Sequence, residues 1–203
     1  MYNKMKKIFF SDKYSLTQAV LDGRKTMTRR ISKEQIRNSV FWKSGYESIH
    51  GYEIKPIYKI SELVAIAQCY ESLGMNPEIA LNDRDGIGFY TKTKFAPGWK
   101  NKMFVRADLM LHHIRITNIK IERLQDISDE DCLREGVELN TRQYEYDGTK
   151  KYCVRGLGHW RAIGCTDFDT PREAFAALID KVSGKGTWES NPYVFVYEFE
   201  LID

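Results

Sequence analysis

The stretch YVFVYEFEL, residues 193–201, decides the fold class. Its aromatic residues and the final leucine occupy the odd-numbered positions, and Val194, Val196 and two glutamates occupy the even-numbered ones. This alternation is typical of a β-strand, because successive side chains of a strand point to opposite faces. A strand this late in the sequence must pair with one distant along the chain. With few regular crossover helices, we predict an α+β fold: a small, mostly antiparallel β-barrel with peripheral helices and surface insertions.

Other periodic segments supply the remaining elements. Strands are predicted at 63–67, 102–105 and 113–122, where short apolar or isoleucine-rich runs occur. Three helices are predicted from a capping residue before each run and a glycine after it: Ser15 to Gly23, Ser128 to Gly136 with Asp131 at the capping-box spacing, and Thr170 to Gly184. A length of 203 residues predicts a single domain, with insertions at about 32–56 and 74–98.

The positive charge is concentrated near the start of the sequence. Residues 1–30 contain eight lysines and arginines against two aspartates, a balance of +6, whereas the whole chain carries +3 and the remainder therefore −3. A local basic region on a nearly neutral protein is compatible with a phosphate-bearing partner. A solvated basic arm explains the same charges equally well.

Several classes of protein are disfavoured. No apolar run has the length of a membrane span, and residues 1–10 lack a secretory signal, so we expect a cytoplasmic protein without membrane contact. The four cysteines have no zinc-type spacing, although Cys153, His159 and Cys165 are evenly placed. We predict reduced thiols, no metal and no cofactor.

Three blocks of the sequence carry a resemblance to a known family. They are GRKTMTRR at 23–30, the run from Ile114 to Gly136, and Asn191-Pro192-Tyr193-Val194. Together they resemble the ASCH domain family, and the similarity is greatest to its larger phage- and prophage-type members. The resemblance implies a PUA-like β-barrel and an association with RNA or nucleotide ligands. In small members it also implies an amidohydrolase activity on acetylated cytidine.

The resemblance also implies a set of active groups. The lysine, threonine and glutamate that act in small members match Lys25, Thr28 and Glu135. A lysine becomes a base or nucleophile when burial or neighbouring cations lower its pKa. Glu135 is expected in the last helical turn, where the helix dipole disfavours a carboxylate and so suits it to acid–base chemistry. The plainer alternatives are a solvated lysine, a strand threonine and a surface glutamate.

The sequence departs from larger relatives at one place. Those relatives usually have an arginine–glutamate pair after the second apolar strand, where this chain has Ala67 and Gln68. Either the ligand differs, therefore, or the site only binds.

A nucleic-acid ligand would need cations and stacking surfaces. The cations predicted to contact it are Arg24, Arg29, Arg30, Lys100 and Lys102. Trp99 is the predicted stacking residue, in an aromatic stretch that also contains Phe89, Tyr90 and Phe95 between Lys92 and Lys94. An aromatic-rich insertion also forms a small core of its own in many proteins.

Three functions follow in order. The first is an RNA- or nucleotide-binding domain with a pocket around Lys25, Thr28 and Glu135, and the second is an amidohydrolase acting on a small acylated nucleoside. The third is an RNA-cleaving enzyme, which usually needs histidine as proton shuttle. It ranks last because the four histidines form no motif: His50, His112, His113 and His159.

Overall fold

The computed structural model describes residues 5–32, 46–48, 50, 53–82, 90–158 and 166–202. Within these residues the strands are β1 (Lys7–Ile8), β2 (Met27–Ile31), β3 (Tyr46–Glu47), β4 (Glu53–Ile54), β5 (Leu63–Ile66), β6 (Ala80–Asn82), β7 (Tyr90–Lys92), β8 (His113–Arg123), β9 (Glu138–Leu139), β10 (Tyr152–Cys153) and β11 (Tyr193–Leu201). The helices are α1 (Leu16–Leu21), α2 (Asp129–Arg134), α3 (Thr141–Asp147), α4 (Pro171–Ser183) and α5 (Thr187–Ser190).

The main sheet confirms the α+β class and its mostly antiparallel character. Its five strands have the order β1-β5-β8-β11-β2. The late strand β11 has the bounds predicted for it and pairs antiparallel with β2, from Val194 opposite Ile31 to Glu198 opposite Met27. Only β1 and β5 are recorded as a parallel pair. Three two-stranded pairs, β3-β4, β6-β7 and β9-β10, complete the described strands. Closure of the main sheet into a barrel stays a prediction.

The two faces of β11 are covered differently from the prediction. Phe195, Tyr197 and Phe199 are buried, as expected for an apolar face. Val194 and Val196 on the other face are also buried. Strand β11 is thus covered on both faces over most of its length, which is why valines rather than charged residues alternate with its aromatics.

The chain forms two compact units. One contains the described parts of Met1–Phe10, Leu63–Ile114 and Ile202–Asp203, and the other those of Ser11–Glu62 and Arg115–Leu201. Of the two predicted insertions, the described part of 74–98 contains β6, β7 and a 3₁₀ turn at Thr93–Phe95. Most of 32–56 lies outside the described residues. The single-domain assignment stays a prediction.

The predicted helix ends are largely confirmed. The Ser128 hydroxyl accepts a hydrogen bond from the backbone N of Asp131 at the start of α2. Thr170 and Glu173 form a complete capping box at the start of α4. Ser15 differs, because it precedes α1 in a left-handed conformation and makes no side-chain cap. Each helix still buries an apolar stripe, as its spacing predicts.

One predicted strand is wrong. Lys102–Phe104 forms a 3₁₀ turn capped by the side chain of Asn101, instead of a strand at 102–105. The physical reason lies in the backbone hydrogen bonds. The ammonium of Lys7 donates to the carbonyls of Met103 at 2.9 Å and Val105 at 2.6 Å. A lysine side chain from β1 therefore satisfies carbonyls that a sheet ladder would otherwise have to pair.

None of the helices in the described part of the chain has the length and apolar character that a bilayer crossing needs.

The capping box of α4 gives a stability prediction. Thr170→Ala removes the side-chain acceptor of the Glu173 N–H, and we expect the free energy of unfolding to fall by about 1 kcal/mol. Thr170→Ser keeps the hydroxyl and serves as the control. Urea unfolding monitored by circular dichroism measures both variants, and an alanine variant as stable as the serine variant would contradict the role of the cap.

Candidate functional site

Lys25 and Glu135 meet in the interior of the second unit. The Lys25 ammonium lies 2.5 Å from Oε2 of Glu135 and 2.7 Å from its backbone carbonyl oxygen. The side chains are 2% and 5% exposed. The alternatives of a solvated lysine and a surface glutamate are therefore wrong. Two residues separated by 110 positions form a buried ion pair, as the match to Lys25 and Glu135 required.

Local backbone structure places both residues. Lys25 follows α1, and its backbone N–H bonds to the carbonyl of Ala19 at 2.8 Å. Glu135 ends α2, and the neighbouring Arg134 carbonyl accepts a bond from the N–H of Thr26 at 3.0 Å. Gly136 then turns the chain with φ of +104°, where a Cβ would lie 3.1 Å from a methyl of Leu16. The end of α1 and the end of α2 can thus approach closely enough for the pair to form.

Arg29 is buried beside this pair. Its side chain is 0% exposed and bonds to three carboxylates: Glu122 at 2.6 Å, Asp131 at 2.9 Å and Glu135 at 3.2 Å. It bonds to Oε1 of Glu135, whereas Lys25 bonds to Oε2. The predicted phosphate-contacting arginine is instead a buried partner of carboxylates.

Lys120 completes a group that we call the Arg29 cluster: Lys25, Arg29, Lys120, Glu122, Asp131 and Glu135. Lys120 lies 2.9 Å from Glu122 and 3.6 Å from Asp131 and is 41% exposed. Three cations and three carboxylates give the cluster a net charge of zero (3 − 3). Arg134 extends it by bonds to Asp131 and to Glu198.

The charges shift the pKa values of the two buried cations in opposite directions. Burial lowers the pKa of Lys25, and the nearby charges of Arg30 and Arg29 lower it further, while Glu135 opposes the shift. Burial also disfavours the charged form of Arg29, but Glu135, Glu122 and Asp131 together outweigh it and raise the pKa of Arg29. Arg29 is therefore a fixed charge, and Lys25 is the cation whose proton is more easily released.

Thr28 is buried but lies differently from the other two predicted groups. Arg29 donates a hydrogen bond to the sulfur of Met27, so Met27 and Arg29 share one face of β2. Side chains alternate along a strand, which places Thr28 on the opposite face, in register with Tyr197. The structure joins Lys25 directly to Glu135 and places Thr28 on the other side of the strand from Arg29.

The remaining predicted cations have different surroundings. Arg24 is half-buried and pairs with Asp22 at 2.8 Å and with Glu138. Arg30 is half-buried, and its charge acts on Lys25. In the first unit, Lys100 is exposed, Trp99 is half-buried, and the Lys102 ammonium donates to the carbonyl of Phe10 at 2.5 Å.

The aromatic stretch around Trp99 is only partly described. Phe95 is 70% exposed, and the ammonium of Lys94 lies 5.2 Å from the centre of its ring. Lys92 and Lys94 both pair with Glu78, which offsets part of their positive charge. Phe89 lies outside the described residues. An exposed aromatic ring beside a lysine is therefore present in this unit, but its cations are shared with a carboxylate.

Sequence reasoning missed Glu122 and the role of the Asp131 side chain. Asp131 was expected to act in a capping box, whereas its carboxylate bonds to Arg29 and Arg134. A buried arginine must find counter-charges, so the burial of β2 was a usable signal that carboxylates approach it. The signal does not say which ones, because Glu122 is 93 residues away from Arg29 along the chain.

Other candidate groups have structural surroundings. Gln68, at the position where relatives carry a charge, accepts a hydrogen bond from the N–H of Leu111. Cys132 is buried, and burial raises the pKa of its thiol to about 12, so it is a poor nucleophile. Among the described residues, no group of three or more histidine, cysteine, aspartate or glutamate side chains is arranged to hold a metal ion. His159 and Cys165 lie outside those residues.

Comparison of this chain with sequence families, curated proteins and solved structures finds no match. The similarity to the ASCH family accordingly remains an interpretation of three sequence blocks.

The buried pair gives a stability prediction. Lys25→Met leaves the Glu135 carboxylate buried without its nearest cation, and we expect the free energy of unfolding to fall by about 3–5 kcal/mol. The double variant Lys25→Met with Glu135→Met replaces both charges by apolar side chains and should recover most of that loss. Denaturant unfolding measures both. A single variant as stable as wild type would show that the two groups are not paired in solution.

Proposed function

We propose that this protein binds a nucleotide, free or within an RNA strand, through a polar centre formed by Lys25 and Glu135 with Thr28 nearby. One observation supports this best: the ion pair is buried, at 2.5 Å, among charged groups that sum to zero. A buried ion pair is a poor means of stabilising a fold, because desolvation of both charges offsets their attraction. Its retention is better explained by recognition of a polar ligand.

The pair has the chemistry for a nucleobase. An ammonium offers donors and a carboxylate offers acceptors, and the edges of bases present both acceptors and amino donors. Burial strengthens such bonds by excluding water. Phosphate contacts are assigned to Arg24 and Arg30, the two arginines of the GRKTMTRR block that are only half-buried.

The finer fold, the family and the location belong to the same proposal. We propose that the main sheet closes as a PUA-like barrel in a cytoplasmic ASCH-type domain of phage-related origin. Support comes from the pairing of β11 with β2, which joins the late strand to the GRKTMTRR block, and from the placement of that block beside Glu135. All three of the matching groups, Lys25, Thr28 and Glu135, are buried.

The binding prediction uses two ligands and a charge-matched control. Wild type should bind nucleoside monophosphates or a short single-stranded RNA, with RNA affinity falling as salt rises. The double variant Lys25→Met with Glu135→Met should lose about tenfold to 100-fold in affinity, since a hydrogen bond to a charged group contributes about 1.5–3 kcal/mol. Calorimetry measures the free nucleotides, and fluorescence anisotropy measures the RNA.

The control is Lys181→Met, which removes one positive charge from an exposed position on α4. It should bind as wild type does. Equal losses in the control and the double variant would mean that net charge, and not the buried pair, determines binding. Absence of binding to both ligands by wild type would overturn the proposed function.

Amide hydrolysis is the second candidate, and the lowered pKa of Lys25 is the observation that favours it. In the proposed reaction water adds to the acetyl carbonyl carbon of an acylated nucleoside, and the neutral Lys25 amine accepts the proton released by water. The carbon–nitrogen bond then breaks, the nucleoside nitrogen takes that proton, and acetate leaves. Glu135 orients the lysine and stabilises its protonated form during the step.

Lys25→Arg separates hydrolysis from binding. A guanidinium keeps the positive charge but stays protonated, so this variant should bind acetylated cytidine and release no acetate. In wild type, acetate release should increase with pH and level off below 10.5, the ordinary pKa of lysine, because the active amine is neutral and its pKa is lowered. Undiminished acetate release by Lys25→Arg would eliminate Lys25 as the base.

A further inference from the structure

We propose, on the basis of the nucleotide site proposed above, that Arg29 is a positioning residue. Its guanidinium fixes the carboxylate of Glu135 for the ligand and does not contact phosphate. Arg29 belongs to the GRKTMTRR block, whose other arginines are half-buried, so its separate role is not apparent from the sequence.

The hydrogen bonds of Arg29 account for its whole donor capacity. A guanidinium has five N–H groups, one on Nε and two on each Nη. Nε and Nη2 both donate to Glu122, Nη2 also donates to Asp131, and Nη1 donates to Glu135 and to the sulfur of Met27. These are five bonds from five N–H groups. With a side chain that is 0% exposed, Arg29 has neither a donor nor a surface to offer a phosphate.

Glu135 is the group that gains from this arrangement. Its Oε1 accepts from Arg29 at 3.2 Å and its Oε2 from Lys25 at 2.5 Å, so each oxygen is tied to a different cation. Glu135 also sits at the end of α2, where no further helical turn restrains its side chain. Two bonds from opposite ends of the carboxylate therefore set its orientation. Pre-set geometry of this kind lowers the entropic cost of binding.

Glu122 and Asp131 hold Arg29 in turn. Glu122 lies on β8, Asp131 on α2 and Arg29 on β2, so these bonds tie three elements of the second unit together. A displacement of either carboxylate would move the guanidinium and, through it, Oε1 of Glu135. The consequence is that Arg29 affects a ligand only through Glu135.

The charge balance makes this inference specific for one part of the ligand. Because the Arg29 cluster is already neutral, a phosphate placed at the pair would face the Glu135 carboxylate with no spare guanidinium to offset its charge. The uncharged base is thus the part of the ligand that meets Lys25 and Glu135. Loss of Arg29 should weaken a nucleoside and its monophosphate by the same factor.

The experiment compares cytidine with cytidine 5′-monophosphate by calorimetry. In Arg29→Lys the ammonium keeps the charge but cannot span three carboxylates, so both affinities should fall by about 10–100-fold, the usual effect of losing an orienting partner. Their ratio should equal that of wild type. A double-mutant cycle with Glu135→Gln should show strong coupling, because both changes disturb one carboxylate.

Arg172→Lys is the matched control. Arg172 is another arginine of the second unit, bonded to the carbonyls of Gln125 and Ile127 and not to the Arg29 cluster. It should leave both affinities unchanged even if it lowers the melting temperature. If Arg29→Lys fails to fold, Glu122→Gln keeps Arg29 in place and should weaken both ligands equally, by a smaller factor.

Two results would overturn the positioning role while leaving the proposed function intact: a loss confined to the monophosphate, which would make Arg29 a phosphate contact, or unchanged affinity for both ligands. If wild type binds neither ligand, the proposed function itself fails, and the role of Arg29 fails with it.

Discussion

Burial of the Lys25 ammonium against the Glu135 carboxylate is the interaction on which the rest of the second unit depends. An isolated ammonium in the interior is costly to desolvate, so Lys25 can be buried only if a carboxylate meets it there. That carboxylate lies 110 residues further along the chain. The end of α1, the start of β2 and the end of α2 must therefore converge before either charge can leave water. Gly136 and the Thr26–Arg134 backbone bond are the local features that permit this convergence.

The same constraint explains why the neighbouring charges form a network rather than separate pairs. Glu135 lies between two cations, and Arg29 lies among three carboxylates, so no member is compensated by a single partner. Neutrality is reached only at the level of six residues. Such a network tolerates little rearrangement, because each displaced group leaves another charge exposed to a low dielectric. It therefore supplies a rigid polar centre, and rigidity at Glu135 is what the proposed recognition of a base requires.

Some parts of this structure could be predicted from the sequence because their signals are local. The alternation of Tyr193–Leu201 specifies a strand by itself, and Thr170, Pro171 and Glu173 specify a helix start by itself. The contact of Lys25 with Glu135 was expected only through a resemblance, since no local pattern links residues so far apart. Arg29 was misjudged because a cation in a basic block looks solvated until the strand is known to be covered. The turn at Lys102–Phe104 was mistaken for a strand because the Lys7 side chain that bonds to carbonyls at its end comes from β1.

The most direct measurement of the central claim is the nitrogen resonance of the Lys25 ammonium in lysine-labelled protein, identified with the Lys25→Arg variant. Burial and the bond to Glu135 should separate this resonance from those of exposed lysines and slow the exchange of its protons with water. Addition of cytidine 5′-monophosphate should shift it, because the ligand takes over part of the bonding between Lys25 and Glu135. A Lys25 resonance that is unchanged while the nucleotide binds would contradict the account, since the ligand would then lie elsewhere on the protein.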